Sequence, residues 1–177
     1  EMGRNISKVD FIVVGGGSAG CVLANRLTDA TPYKVLLIEA GPQDTNPWIH
    51  IPIGYGKNFR NPSINWMLQT ERGERWVKTQ VPTPRGKVIG GSSSINGMVY
   101  MRGNQDDFNH WQQLGNAGWG FDDVLPYFKK SENQQRGEGQ YHAIGGPLWV
   151  SDTAKTHPIA EAYIKAGLQA GYDYNPD

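Results

Sequence analysis

Residues 9–20, with the sequence VDFIVVGGGSAG, decide the fold. The apolar, β-branched run that ends at residue 14 predicts a parallel strand buried on both faces. The glycines that follow fit the pattern G-x-G-x-x-G and open a helix predicted over residues 18–28. A second apolar run at residues 34–40, KVLLIEA, predicts the next strand. Strand, glycine turn, helix and strand together predict a right-handed βαβ unit.

Each glycine of this turn has an expected physical role. Gly15 permits the tight turn, Gly17 lets a pyrophosphate approach the backbone, and Gly20 lets the helix pack closely on the strand. The unpaired N–H groups at the start of the helix, at Ser18 and Ala19, favour negative charge. The turn therefore predicts a site for the phosphates of a dinucleotide.

An acidic residue follows at the position that a dinucleotide site requires. Glu39 lies 19 residues beyond Gly20, at the end of the second predicted strand. A carboxylate there can accept hydrogen bonds from the adenosine ribose and would repel a 2′-phosphate, which disfavours NADP. These residues alone do not separate FAD from NAD.

A second glycine-rich segment, residues 86–103, reads GKVIGGSSSINGMVYMRG. Its small residues allow close approach to an anionic or flat ligand, and its N–H and hydroxyl groups can bind phosphate or flavin oxygens. The segment closely resembles the first signature of the glucose–methanol–choline (GMC) flavin oxidoreductases. The opening βαβ unit and residues 119–132, WGFDDVLPYFKKSE, resemble the same family, so the resemblance runs from about residue 9 to residue 172.

The resemblance implies a fold, a cofactor and a set of site residues. The expected cofactor is FAD, held without a covalent bond, because the stretch at residues 94–96 contains no histidine of the kind to which some relatives attach it. The residues expected to bind FAD lie in the first turn, at the end of the second strand, and in and before the second motif: Gly15, Gly17, Ser18, Ala19, Gly20, Glu39, Ala40, Trp66, Arg85, Gly86, Val88, Gly90, Gly91, Ser92, Asn96, Gly97, Met98 and Val99.

The reaction that the resemblance implies is oxidation of a primary alcohol, with a hydride passing to flavin N5. Residues 44–52 and 64–66 look like bacterial alcohol dehydrogenases, whereas residues 96–98 and 102–104 look equally like choline dehydrogenases. Two alternatives stay open. One is an FAD-containing hydroxynitrile lyase of the same fold, and the other is a non-catalytic nucleotide-binding fragment.

No catalytic residue is expected within this sequence. The family's proton-accepting histidine lies near the C-terminus of a much longer chain, and His50, His110, His142 and His157 do not match its motif. The expected partners are a small alcohol and the C-terminal remainder of the same enzyme, in the same chain or in a separate one. Residues 1–177 are then the N-terminal third of an enzyme with an incomplete fold.

The predicted fold class is α/β, or α+β overall. A Rossmann-like FAD-binding βαβ unit is interrupted by an irregular excursion at residues 42–84, which includes a short strand near 65–70. Helices are expected over residues 104–114, 122–131 and 158–170, with Pro126 in the first turn of the second, and a strand over 148–151. Residues 1–145 are assigned to the FAD-binding domain and residues 146–177 to the start of a substrate-binding domain.

Composition excludes several other classes of protein. The 177 residues carry 17 Lys+Arg and 17 Asp+Glu, which leaves no basic surface for nucleic acid. The single cysteine permits no internal disulfide, and no Cys/His cluster has zinc spacing. No apolar run reaches the roughly 20 residues of a bilayer-spanning helix. The expected location is the cytoplasm, with peripheral attachment to a membrane left open.

Overall fold

A computed structural model describes residues 8–72 and 79–175, in two compact units, Glu1–Val99 and Tyr100–Asp177. The first unit contains both glycine motifs. The second contains three of the longer helices and two short strands. The assignment of residues 1–145 and 146–177 to an FAD-binding and a substrate-binding domain stays a prediction.

The first unit opens with the predicted βαβ arrangement. Strand β1 spans Phe11–Val14, helix α1 spans Ser18–Thr28 and strand β2 spans Val35–Ile38. The two strands are parallel, with Phe11 opposite Val35 and Val14 opposite Ile38. The helix has the bounds that the sequence predicts, and each strand is shorter than its apolar run.

The expectation that these strands are buried on both faces is wrong for the described residues. Val14 is 81% exposed and Ile12 is 60% exposed. The physical reason is the size of the sheet, because β1 and β2 form a sheet of two strands. Helix α1 packs against both strands, but one helix cannot cover two faces of a sheet.

The excursion at residues 42–84 was predicted to be irregular, but it contains short helices. Helix α2 spans Pro47–His50, a 3₁₀ turn spans Pro52–Gly54 and helix α3 spans Tyr55–Asn58. Asn46 caps α2, since its side-chain oxygen accepts a hydrogen bond from the Trp48 N–H at 3.0 Å.

A small antiparallel sheet follows the short helices. Strand β3, Leu68–Gln69, pairs with strand β4, Pro82–Thr83, which confirms part of the strand expected near residues 65–70. The core of the first unit lies beside it, where Ile64, Val88 and Ile95 are buried. Ile49 of α2 packs against these three side chains, so the core joins the excursion to the second glycine motif.

The second unit has the predicted helices with small changes of bounds. They are α4 (Gln105–Gln113), α5 (Phe121–Ser131) and α6 (Pro158–Gln169). His157 caps α6 and Gly171 follows it with a φ of +89°, as its punctuation predicts. The placement of Pro126 in the first turn of α5 is wrong, because Pro126 is the sixth residue of that helix and lies in its interior.

The sequence predicted no strand between residues 131 and 148, but one is present. Strand β5, Glu132–Gln134, pairs in parallel with strand β6, Leu148–Val150. Its side chains are polar, so an apolar pattern could not reveal it. The first residue of β5, Glu132, is fully buried beside Arg102 and His142.

Residues 8–72 and 79–175 contain neither a helix able to span a membrane nor a metal-binding cluster. None of the helices there combines the length and the apolar character that crossing a bilayer requires. No cluster of three or more His, Cys, Asp or Glu side chains in the same ranges has an arrangement suited to a metal ion.

Candidate cofactor site

The turn between β1 and α1 has the geometry that its first and last glycines predict. Gly15 has a φ of +96°, a left-handed conformation that favours glycine, and its N–H donates to the Ile38 carbonyl at 2.7 Å. A Cβ on Gly20 would lie 1.9 Å from the Gly15 carbonyl oxygen. Helix α1 can therefore approach the turn this closely only with glycine at position 20.

The start of α1 is open around Gly17. This residue is the N-cap of the helix, has ordinary extended dihedrals and supplies no side-chain cap. A Cβ on Gly17 would meet no other atom within 4 Å. The first N–H that bonds back to the cap is that of Cys21, at 2.9 Å from the Gly17 carbonyl. The N–H groups of Ser18 and Ala19 precede the first intrahelical bond and suit an anionic ligand.

Glu39 stabilises this turn directly, which the sequence analysis did not predict. One carboxylate oxygen accepts the Gly16 N–H at 2.6 Å, and the other accepts the Gly41 N–H at 3.0 Å. Each carboxylate oxygen has further acceptor capacity, so these bonds leave Glu39 able to accept from a ribose hydroxyl. Glu39 therefore stabilises the loop and can still bind a ligand.

The second glycine motif packs directly on the first. The Gly90 N–H donates to the Gly16 carbonyl at 2.7 Å, and the hydroxyls of Ser18 and Ser93 lie 2.5 Å apart. A Cβ on Gly91 would lie 2.7 Å from the Cα of Gly17. The two motifs, more than seventy residues apart in sequence, therefore form one continuous surface around the start of α1.

Several small residues of the second motif are required by packing inside the motif. Gly90 has a φ of +88°, and a Cβ there would lie 2.1 Å from the Ser94 hydroxyl. A Cβ on Gly86 would lie 2.1 Å from the Gly91 carbonyl oxygen. The Ser92 hydroxyl accepts the Gly86 N–H at 3.1 Å, which closes the loop on itself.

The end of the motif presents an exposed, strained turn. Asn96 accepts the Met98 N–H on its side-chain oxygen at 2.9 Å, and Met98 has a φ of +59°. A non-glycine residue in this conformation costs about 1–3 kcal/mol and is often found at ligand sites. Gly97 and Val99 are exposed on either side of Met98. All four residues are available to a ligand.

The other predicted site residues have different surroundings. Trp66 is half-exposed and donates its backbone N–H to the Arg85 carbonyl at 3.0 Å, while the Lys87 ammonium lies 5.0 Å from its ring centre. Ala40 is exposed beside Glu39. Val88 is different, because its side chain is fully buried in the core and its carbonyl accepts the Gly91 N–H at 2.8 Å. Its side chain is therefore not presented to a ligand.

Three residues important to the geometry were missed by sequence reasoning. Gly16 joins the acid, the first turn and the second motif, Ser93 meets Ser18, and Gly41 approaches the second motif so closely that a Cβ would lie 1.9 Å from the Lys87 carbonyl oxygen. A signal for Gly16 and Gly41 existed in their glycine identity. The Ser18–Ser93 contact had no local signal.

The histidines and the cysteine have structural contacts of their own. His50 bonds the Asp44 carbonyl at 2.5 Å, His142 bonds Glu132 at 2.8 Å, and His157 caps α6. The Cys21 thiol donates to the Gly16 carbonyl at 3.1 Å, so it is bonded to the turn between β1 and α1.

A matched pair of variants, at Gly17 and Gly20, tests the predicted dinucleotide site. In the full-length enzyme, Gly17→Ser should leave the stability of the cofactor-free form unchanged, because a side chain fits there and serine is a favourable N-cap. It should lower dinucleotide affinity at least tenfold, because the serine occupies the ligand's space and its N–H donors. Gly20→Ala is the control, and its collision with Gly15 should destabilise the fold itself. Thermal unfolding and equilibrium flavin titration check both, and undiminished binding by Gly17→Ser would contradict the assignment.

Comparison with known proteins agrees with this geometry. The family model described as GMC oxidoreductase matches residues 9–176. The chain is 44% identical over 169 residues to an alcohol dehydrogenase [acceptor] of Pseudomonas putida, a match that covers 95% of this chain and 31% of that protein. It is 43% identical over 170 residues to an oxygen-dependent choline dehydrogenase of Rhizobium johnstonii, with 96% and 31% covered.

A solved structure has the same fold. The crystal structure of pyridoxine 4-oxidase from Mesorbium loti superposes with a TM-score of 0.85 at 38% identity, over 93% of this chain and 32% of that one. The chain thus spans about a third of the length of the relatives that it matches.

Proposed function

Because the chain belongs to the GMC oxidoreductase family, we propose that it forms the FAD-binding part of an enzyme that oxidises a primary alcohol. FAD is the cofactor of this family's site. The observation that carries the proposal is the union of the two glycine motifs at the uncapped start of α1, with Glu39 bound beneath the turn.

Different residues of the site bind different parts of FAD. The N–H groups of Ser18 and Ala19 bind the pyrophosphate, and Glu39 accepts from the adenosine ribose. The exposed groups of residues 96–99 would contact the flavin when FAD is bound. When bound, FAD supplies the acceptor for the hydride of the alcohol carbon. The side chains in this chain bind and orient, and the group that takes the hydroxyl proton belongs to sequence outside residues 1–177.

The substrate class is part of the proposal. Relatives at more than 40% identity are named for alcohol and for choline, and choline carries a primary hydroxyl. A hydroxynitrile lyase of the same fold would hold FAD without net redox chemistry, and a nucleotide-binding protein would not catalyse at all. Both alternatives predict that an alcohol leaves the spectrum of the bound flavin unchanged, whereas alcohol oxidation reduces the flavin.

Anaerobic reduction of the bound flavin tests the proposal. The full-length enzyme that carries this sequence is mixed, without oxygen, with a series of 1-alkanols and with choline. Loss of the oxidised-flavin absorbance supports alcohol oxidation, and the most effective compound names the substrate. A spectrum unchanged by every alcohol, in an enzyme that still cleaves a cyanohydrin, would contradict the proposal in favour of a lyase.

Substitution of Glu39 tests the ribose contact. Glu39→Ala should weaken FAD binding by about 1.5–3 kcal/mol, the scale of a hydrogen bond to a charged group. The bonds of Glu39 to Gly16 and Gly41 also disappear, so the variant alone does not separate the ligand from the loop. A double cycle with 2′-deoxyadenosine FAD separates them. If Glu39 binds the 2′-hydroxyl, Glu39→Ala weakens binding of the analogue less than it weakens binding of FAD. A full loss with the analogue as well would assign Glu39 to the loop alone.

The bound FAD should be released by acid. Ile95 and its neighbours Ser94 and Asn96 offer no imidazole for a bond to the flavin ring. Precipitation of the holoenzyme with trichloroacetic acid should leave all of the yellow colour in the supernatant. Flavin absorbance that persists in the redissolved pellet would disprove a dissociable cofactor.

A further inference from the structure

A small cavity of about 40 Å³ lies within the first unit and shares Ser93, Asn96 and Met98 with the candidate cofactor surface. One wall is the segment from Trp48 to Asn58, which contains α2 and α3. The other wall includes Ser94 and Asn96 of the second glycine motif. The cavity therefore lies between the excursion and the second glycine motif, which pack against each other around it.

Asn58 is the buried polar group of this cavity. The residue is only 2% exposed. Its side-chain N–H₂ group donates to the Trp48 carbonyl at 2.9 Å, which closes the segment into a compact loop. Its Oδ1 atom is buried and has no hydrogen-bond partner among the described residues. A buried amide oxygen of this kind requires a donor.

Two other polar groups that line the cavity, on Ser94 and Asn96, can also form hydrogen bonds with a small ligand. The Ser94 hydroxyl donates its hydrogen to the Ile89 carbonyl at 2.7 Å, so it can accept a further bond. Asn96 uses its oxygen to accept the Met98 N–H, so its N–H₂ group can donate. A ligand that donates twice and accepts once fits these three groups.

The size of the cavity suits water. A water molecule binds in a polar cavity through two to four partners and needs about 10–15 Å³ of accessible space. The cavity of about 40 Å³ has room for it, and the polar groups that line the cavity match the two donors and one acceptor that a water molecule offers.

We propose that one water molecule is bound in this cavity by Asn58 Oδ1, Ser94 and Asn96. It connects the Trp48–Asn58 segment to the second glycine motif. Asn58 is then a positioning residue, which acts on the motif through the water and through its bond to Trp48. This inference depends on the chain's own residues and does not require that the enzyme oxidise an alcohol.

A high-resolution crystal structure of the full-length holoenzyme is the first test. It should show a single solvent atom about 2.6–3.2 Å from Asn58 Oδ1. Absence of that atom, or a protein donor bonded to Asn58 Oδ1 in its place, would overturn the proposal. Two variants then assign the binding group. Asn58→Asp keeps the acceptor, so the solvent atom should stay. Asn58→Leu removes it, so the atom should disappear, and an atom that stays in the leucine variant would overturn the role of Asn58.

Hydrogen exchange measures the connection in solution. Amide exchange at Ile95, and at Ile49 of the facing segment, should be about tenfold faster in Asn58→Leu than in the wild type. Asn61→Leu is the control, since Asn61 is close in sequence and does not line the cavity. Exchange in Asn58→Leu no faster than in Asn61→Leu would overturn the role of Asn58. If Asn58→Leu does not fold, the crystal structures of the wild type and of Asn58→Asp still test the proposal, because both should contain the solvent atom.

Discussion

Residues 1–177, produced without further sequence, should neither unfold in a cooperative transition nor oxidise any alcohol. The described residues bury few large apolar side chains: Ile64, Val88, Ile95, Phe108 and Phe121. The strands of the βαβ unit contribute none of them, and Val14 and Ile12 are largely exposed. Burial of such a side chain is worth about 1.5–3 kcal/mol, against a total stability of about 5–15 kcal/mol for a domain. A few unburied residues are therefore enough to prevent stable folding.

The measurement compares this segment alone with the segment co-expressed with the remainder of the full-length enzyme. Circular dichroism during heating, FAD absorbance after gel filtration, and dye reduction with an alcohol are recorded for both. Cooperative unfolding and FAD retention should appear only in the pair. A sharp thermal transition in the segment alone would contradict the stability argument, and turnover by it would place the proton acceptor within residues 1–177.

Local signals account for the parts of the fold that the sequence predicts. The φ of Gly15 and the close approach at Gly20 follow from the glycine pattern, because no other residue type satisfies both. Helix α6 follows from Pro158 at its start and Gly171 after its end. Each of these elements is determined by residues within or directly beside the element itself, so inspection of the sequence is sufficient.

Features that depend on distant partners were not predictable. The polar strand β5 exists because it pairs with β6, and its own sequence has no strand pattern, whereas β6 lies within the strand predicted over residues 148–151. The bond between Gly16 and Glu39 crosses 23 residues, and the Ser18–Ser93 contact crosses 75. The glycine motifs predicted that both segments bind the cofactor. Their contact with each other is a tertiary property that only the structure supplies.

Loss of the charge on Glu132 should be the most destabilising single change in the second unit. The side chain is fully buried, and its oxygens bond Arg102 Nη2 at 2.7 Å, His142 Nδ1 at 2.8 Å and the Ala143 N–H at 3.2 Å. Arg102 is itself 12% exposed, so its charge has little access to water. Removal of one partner from a buried ion pair costs about 3–5 kcal/mol, because the other charge stays buried without compensation. Glu132→Gln should therefore strongly destabilise the full-length enzyme.

The chain offers a matched control in a second carboxylate–arginine pair. Asp152 bonds Arg136 at 2.9 Å, and this hydrogen bond holds the pKa of Asp152 below its ordinary value. Both side chains of that pair are half-exposed, so solvent replaces the interaction and Asp152→Asn should change the melting temperature little.

A double variant tests why substitution of Glu132 lowers the stability of the protein. Arg102→Met with Glu132→Met leaves no arginine charge buried without its partner, so it should recover part of the stability that Glu132→Met alone loses. Thermal unfolding of the full-length enzyme, with FAD saturating, measures all of these variants. If Glu132→Gln is as mild as Asp152→Asn, the buried charge is not important to stability. If the double variant loses as much as its two single changes combined, Arg102 and Glu132 stabilise the second unit independently, and their pairing is not the reason for the burial of Glu132.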